Sequence, residues 1–174
     1  MRSWFEWVGA MESSIALRES LNAYPIMLTS HVIGMCMFAG LIMMMDLRLA
    51  GVGNLNSSIT QVQGRLFPWQ MFGFAISIVT GLFLLFSDPM RFYTNFYFWT
   101  KNVLLVLAGL NMWYFHATTY QTVDQWDNDP SPPFGAKCAG VLSIAFWSSI
   151  IVVGRMIAYQ DLVPQWWREL VPRG

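Results

Sequence analysis

Residues 21–45 read LNAYPIMLTSHVIGMCMFAGLIMMM, a stretch without Asp, Glu, Lys or Arg that runs straight into Asp46-Leu-Arg-Leu. At a helical rise of about 1.5 Å per residue it is long enough to cross the ~30 Å hydrocarbon core of a bilayer. His31 lies well inside it. A polar titratable group is costly at that depth, so His31 is the first candidate functional residue.

The rest of the chain agrees with lipid as its solvent. It has 174 residues, 55% hydrophobic and 11% charged, with a mean hydropathy of +0.43. Soluble domains carry about 25% charged residues, so this surface cannot be covered by polar side chains. The net charge of zero gives no basis for nucleic-acid binding. Cys36 and Cys138 fall at depths about 15 Å apart at helical rise, which speaks against a disulfide. The first twenty residues contain Glu6, Glu12 and Glu19 and no apolar run, so no cleavable signal peptide is expected.

Four spans are expected, at about 21–48, 66–87, 94–122 and 137–160, within one integral membrane domain over 1–169. Pro25 and Pro68 fall in first turns, where a missing N–H costs little. Ser20 and Asn22 are candidate caps for the first span. Residues 50–63 and 124–134 read as loops, the second acidic and proline-rich. Trp4, Val8, Met11 and Ile15 form a helical stripe, which predicts an amphipathic interfacial helix before the first span. Gln165-Trp-Trp-Arg-Glu169 predicts another after the last. The fold class is therefore all-α, a four-helix transmembrane bundle with short interfacial helices at both termini. Residues 170–174, LVPRG, match a thrombin site of the kind left by expression tags.

Four spans put both termini on one side. Arg2, Arg18, Arg91, Lys101, Arg155 and Arg168 lie toward that side, and Arg48, Arg65 and Lys137 toward the other. The positive-inside rule then makes the termini cytoplasmic, narrowly so if Lys101 and Arg155 serve a site instead.

Centring each span on its apolar stretch sorts the ionisable groups into two tiers. His31, Lys101 and Arg155 fall about 6, 10 and 9 Å toward the terminal side, with Gly81 and Gly154 level with His31. His116 and Asp46 fall about 12 and 16 Å the other way, with Arg48 nearby. Both histidines are candidate metal ligands. A single haem bridged by them is disfavoured, because they lie roughly 18 Å apart along the membrane normal. The first tier suits haem b with His31 as one ligand and Lys101 and Arg155 on its propionates, or a quinone head group. Glu19 is another possible partner for these cations. Asp46 and His116 are expected to form a structural pair. Other readings stay open: His31 as a hydrogen-bonded tie between helices, Lys101 and Arg155 reaching for head groups, and Met43–Met45 as packing or Cu(I) ligands. No Ser/His/Asp triad, HExxH, CxxC or phosphate loop supports hydrolase chemistry.

The motifs His31-Val-Ile-Gly, Asp46-Leu-Arg-Leu-Ala-Gly51, Phe67-Pro-Trp69, Phe98-x-x-Lys101, Phe115-His116 and Gly154-Arg-Met-Ile-Ala-Tyr159 carry a resemblance. The chain resembles an uncharacterised family of small four-span bacterial inner-membrane proteins. More distantly it is similar to the membrane domain of copper-resistance D proteins, though it lacks their additional histidines and methionine motifs. The first resemblance implies a bacterial inner-membrane location and this fold. The resemblance carries no activity, and the residues leave three functions open: first, a redox-associated protein binding haem b or a quinone near His31, working as an electron-transfer subunit with another membrane or periplasmic redox protein; second, a copper- or ion-handling protein; third, a non-catalytic subunit of a membrane complex. A homo-oligomer is also open.

Overall fold

The computed structural model describes residues 2–53 and 55–171, apart from the side chain of Gln160. Residues 172–174 of the expected tag remnant lie outside the described residues. The described chain is all-helical. Two short helices, α1 (Arg2–Gly9) and α2 (Glu12–Glu19), precede the long α3 (Ala23–Leu49) and α4 (Ile59–Ser87). A five-residue helix, α5 (Pro89–Tyr93), turns the chain into α6 (Phe96–Ala117). A 3-10 segment, Thr119–Gln125, leads through the acidic loop to α7 (Phe134–Met156), and α8 (Gln165–Leu170) closes the chain.

Three helices, α3, α4 and α7, are long and apolar enough to cross a membrane. This is a multi-pass helical membrane protein. The fourth expected span, α6, has 22 residues but carries Tyr97, Lys101, Asn102, Asn111, Tyr114 and His116. With these polar groups spread along it, α6 does not join the three helices that are long and apolar enough to cross a membrane. The main contacts run in the order α4–α3–α7–α6, and near the loops Ile59 and Val62 of α4 share one core cluster with Phe115 of α6. Phe38 fixes α3 in the middle, with its ring 5.1 Å from Phe74 on α4 and 5.0 Å from Trp147 on α7. Small residues allow close crossings. A Cβ on Gly73 would lie 2.9 Å from the Phe38 backbone nitrogen, and one on Gly140 would lie 2.7 Å from the Asp46 carbonyl. Such small-residue contacts are how membrane helices pack when lipid removes the hydrophobic drive between them.

The interfacial segments differ from the sequence expectation. Residues 1–20 do not form one continuous helix: the chain breaks at Ala10–Met11, and the buried face is Phe5, Val8 and Ser14. Trp4 is 54% exposed, because the break turns α1 onto α5, where Phe5 meets Tyr93. The cap of α3 comes from Ser20, whose hydroxyl accepts from the Ala23 N–H at 3.1 Å, while the Asn22 side chain caps nothing. At the other end Trp167 donates to the Thr94 carbonyl at 3.0 Å and Phe96 packs between Trp166 and Trp167.

The second span also starts earlier than expected, at Ile59, so Pro68 sits inside α4 and not in its first turn. Two caps start it there: the Ser58 hydroxyl accepts from the Gln61 N–H at 3.2 Å, and a second comes from far along the chain. The Asp127 carboxylate accepts from the Thr60 N–H at 2.8 Å and from its hydroxyl at 2.7 Å. The Ile59 N–H donates to the Asp127 carbonyl. Burial pushes the Asp127 carboxyl up, but bonds from Thr60, Ser58 and Ile59 outweigh it and hold it below the usual range. A depressed acid stabilises the fold above its unfolded value, about 3.9, and loses that contribution as pH falls through the lower folded value. Asp127→Ala is therefore expected to cost about 1 kcal/mol at pH 7. The gap to the parent protein should close under strongly acidic conditions. Denaturant titration in detergent at the two pH values checks this, and a gap independent of pH would rule out the capping role.

Candidate functional site

His31 is half-buried on α3, facing α4. Its Nδ1 lies 3.0 Å from the Ser77 carbonyl and 3.1 Å from the Thr80 hydroxyl. The Thr80 hydroxyl donates its one proton to the Ile76 carbonyl at 2.6 Å. Toward His31 it can therefore only accept, as can the Ser77 carbonyl. The proton must sit on Nδ1. In the neutral ring, Nε2 is then left with a lone pair for a guest or a metal.

Glycines shape the surroundings. A Cβ on Gly81 would meet the His31 ring at Cε1, 3.1 Å away, so glycine lets the imidazole lie against α4. On the far side, Lys101 of α6 reaches toward α3. Its ammonium lies 3.8 Å from the Met35 sulfur, one helical turn beyond His31, and its charge acts on His31. Gly154 of α7 makes room for the lysine stem, since a Cβ there would lie 3.8 Å from Cδ. Among the described residues no carboxylate pairs with Lys101, and Glu19 stays exposed without reaching it. A weak thioether acceptor is a poor partner for an ammonium with three N–H donors. Four expected residues, His31, Lys101, Gly81 and Gly154, are thus brought together.

The model of a family of unknown function, DUF6644, matches residues 16–160. The chain belongs to this family. The match takes in the His31 tier and all four long helices, and leaves α1 and α8 outside. No curated protein and no solved structure matches the chain. The expectation of an uncharacterised family agrees with DUF6644, and no link to the copper-resistance D proteins is shown.

Two expected partnerships are absent from this DUF6644 chain. Arg155 lies on the outside of α7, exposed, with its guanidinium bonded to the Tyr159 hydroxyl at 3.3 Å and stacked over that ring. It turns toward Tyr159 and does not flank His31. Nor do Asp46 and His116 pair. Asp46 is buried against α7, with the Ser143 hydroxyl as its neighbour and Oδ2 unpartnered. His116 is exposed, bonded through Nδ1 to the Met112 carbonyl of its own helix and stacked with Tyr120. Lys101, the neighbour of His31, and His116 stand fifteen residues apart on α6, about 22 Å at helical rise. No single metal joins the two histidines, and the described residues contain no group of three His, Cys, Asp or Glu able to hold one. Met45 is buried in the core near the loops and Met44 is exposed, which is packing rather than a ligand set.

Sequence reasoning named Arg48 only in passing, yet it is fully buried. It donates from Nε to the Ser57 carbonyl at 3.0 Å and from Nη2 to the Asp129 and Asp127 carbonyls at 3.0 and 3.4 Å. It therefore clasps two loops over one end of the bundle. Ser77 and Thr80, which set the His31 tautomer, were also missed. Their only signal was a Ser/Thr pair one turn apart next to Gly81.

Proposed function

We propose that this is a redox-associated membrane protein that binds the head group of a membrane quinone beside His31. In this reading α6 is the fourth span, since 22 residues reach about 33 Å. The termini then share the cytoplasmic side of a bacterial inner membrane. The observation that carries the reading is the Nδ1–H tautomer, which leaves Nε2 as an acceptor, with a lysine ammonium nearby that pairs with no carboxylate among the described residues. A quinone, when bound, supplies reversible two-electron, two-proton chemistry. Nε2 would accept from a hydroxyl of the reduced head group, and Lys101 would donate to a head-group oxygen. Gly81 and Gly154 let the imidazole and the lysine stem lie close against α4 and α7.

A second reading has its own support. An Nδ1–H bonded to a backbone carbonyl is the outer-shell arrangement that orients metal-bound histidines, so His31 also fits one axial position of haem b. Lys101 would then meet a propionate. The residues fit haem less well, because Arg155 is turned away and Met35, on the same helix as His31, cannot stand opposite it.

One purification separates these readings. Protein solubilised from membranes containing both cofactors is extracted for quinones by mass spectrometry, and its visible spectrum is recorded. Quinone close to one per chain with no Soret band is the expected result. A Soret band selects the haem reading. Protein free of both would end both readings and leave His31 as a tie between α3 and α4 in a structural subunit.

A further inference from the structure

At the end of the bundle where α3 begins and α4 ends, the α1–α2 elbow rests on the α4–α5 turn. A Cβ on Gly9 would lie 3.7 Å from the Pro89 ring, and the Ser14 hydroxyl donates to the Phe86 carbonyl at 2.7 Å. Between elbow and turn lies a cleft of about 260 Å³, whose lining includes Glu6, Arg18, Asp88, Pro89 and Met90. That is just below the ~300–1,000 Å³ of pockets that enclose drug-sized ligands, and suits a small head group.

The lining charges are of both signs. Arg18 is exposed and makes no hydrogen bond or ion pair among the described residues. Asp88 accepts from the Arg91 N–H at 3.4 Å through Oδ1, leaving Oδ2 for another donor. Glu6 shares one oxygen with Arg2 at 2.8 Å. An anionic head group would face two carboxylates here, and a purely cationic one would face Arg18. A zwitterion meets both. Trp4 and Trp7 on α1, beside the cleft, are 54% and 63% exposed, which suits aromatic anchors at head-group level.

The geometry points to a binding site for a lipid phosphoethanolamine head group, with Arg18 on the phosphate and Asp88 and Glu6 on the ammonium. The guanidinium fork matches phosphate oxygens, and a primary ammonium has N–H donors for the carboxylates. The quaternary ammonium of a phosphocholine has none, so the site discriminates between the two zwitterions.

The full chain is placed in vesicles of phosphatidylcholine alone, or mixed with phosphatidylethanolamine or with phosphatidylglycerol. Thermal unfolding is followed, and retained lipid is measured by native mass spectrometry. Phosphatidylethanolamine is expected to raise Tm and to be retained selectively. Arg18→Ala and Asp88→Asn should each cut that retention about tenfold, the loss of one charge-assisted contact. Arg18→Lys should keep the preference. Asparagine still accepts the Arg91 N–H, so α5 stays capped in the second variant. Equal protection by phosphatidylglycerol, or unchanged retention in both variants, would overturn the assignment. So would equal stabilisation in detergent by free O-phosphoethanolamine, which would make the ligand a soluble ion.

Discussion

Arg48→Met is expected to lower unfolding stability by about 3 kcal/mol and to release both loops at that end of the bundle. Arg48 makes two good hydrogen bonds to carbonyls and a third, longer one, all from a fully buried guanidinium. Hydrogen bonds to charged groups contribute about 1.5–3 kcal/mol each, and the stranded carbonyls of Ser57 and Asp129 add a cost of their own. Two effects work the other way. The guanidinium is expensive to bury, and its Nη1 has no partner. Methionine also recovers some apolar burial along the same stem. Hence the estimate stays near the lower end of the sum. Arg48→Lys should rescue little, because one ammonium cannot span three carbonyls set for a planar fork. Denaturant titration gives the stability. Amide exchange should quicken at 57–60 and 127–129, where Arg48 and Asp127 join the loops to the start of α4. A methionine variant as stable as the parent, with unchanged exchange there, would show that the clasp contributes nothing.

That clasp marks where the sequence stopped being readable. Hydropathy and helical rise order residues along each helix, and they grouped His31, Gly81, Lys101 and Gly154, which the fold brings into one neighbourhood. Rise says nothing about which way a side chain faces. Arg155 was assigned to the His31 tier on depth alone, and it points outward to Tyr159. Asp46 and His116 were paired for the same reason, yet Asp46 faces Ser143 and His116 faces away from the packed helices. Low amphipathicity is the physical cause. In lipid, apolar residues cover both the packed and the exposed faces, so no stripe reveals the azimuth. Long-range caps were equally hidden. The start of α4 rests partly on Asp127, which lies beyond α6 and left no local trace, and partly on the Ser58 cap to Gln61, a local signal that the reading of 50–63 as a loop passed over. The break at Ala10–Met11 was masked by a continuous stripe of Trp4, Val8, Met11 and Ile15, although the buried residues turn out to be Phe5 and Val8.

His31→Ala and Lys101→Met are each expected to reduce retained quinone by at least about tenfold, and the double variant to lose little more. Each removes one strong hydrogen bond to the same head group, and a loss of about 1.4 kcal/mol is tenfold in affinity. Contacts that hold one guest are coupled, so their losses should not add. His31→Gln separates the two jobs of the imidazole. Its amide N–H can restore the bond to the Ser77 carbonyl that ties α3 to α4. What it cannot supply is an imidazole Nε2 lone pair at the same point, so stability should recover while quinone content stays low. Gly81→Ala approaches the site without touching a donor. Its methyl would press on the ring carbon that now lies 3.1 Å from the Cβ position, displacing His31 by a few tenths of an ångström. Retention should fall there too, with Thr80 and Lys101 unaltered. Purely structural roles predict another pattern. In that case His31→Ala would lose about 1 kcal/mol of stability, His31→Gln would restore it, and the quinone content of all four single variants would match the parent. The split between stability and retention in His31→Gln is therefore the measurement that decides whether the histidine in this span serves a guest or only its neighbouring helix.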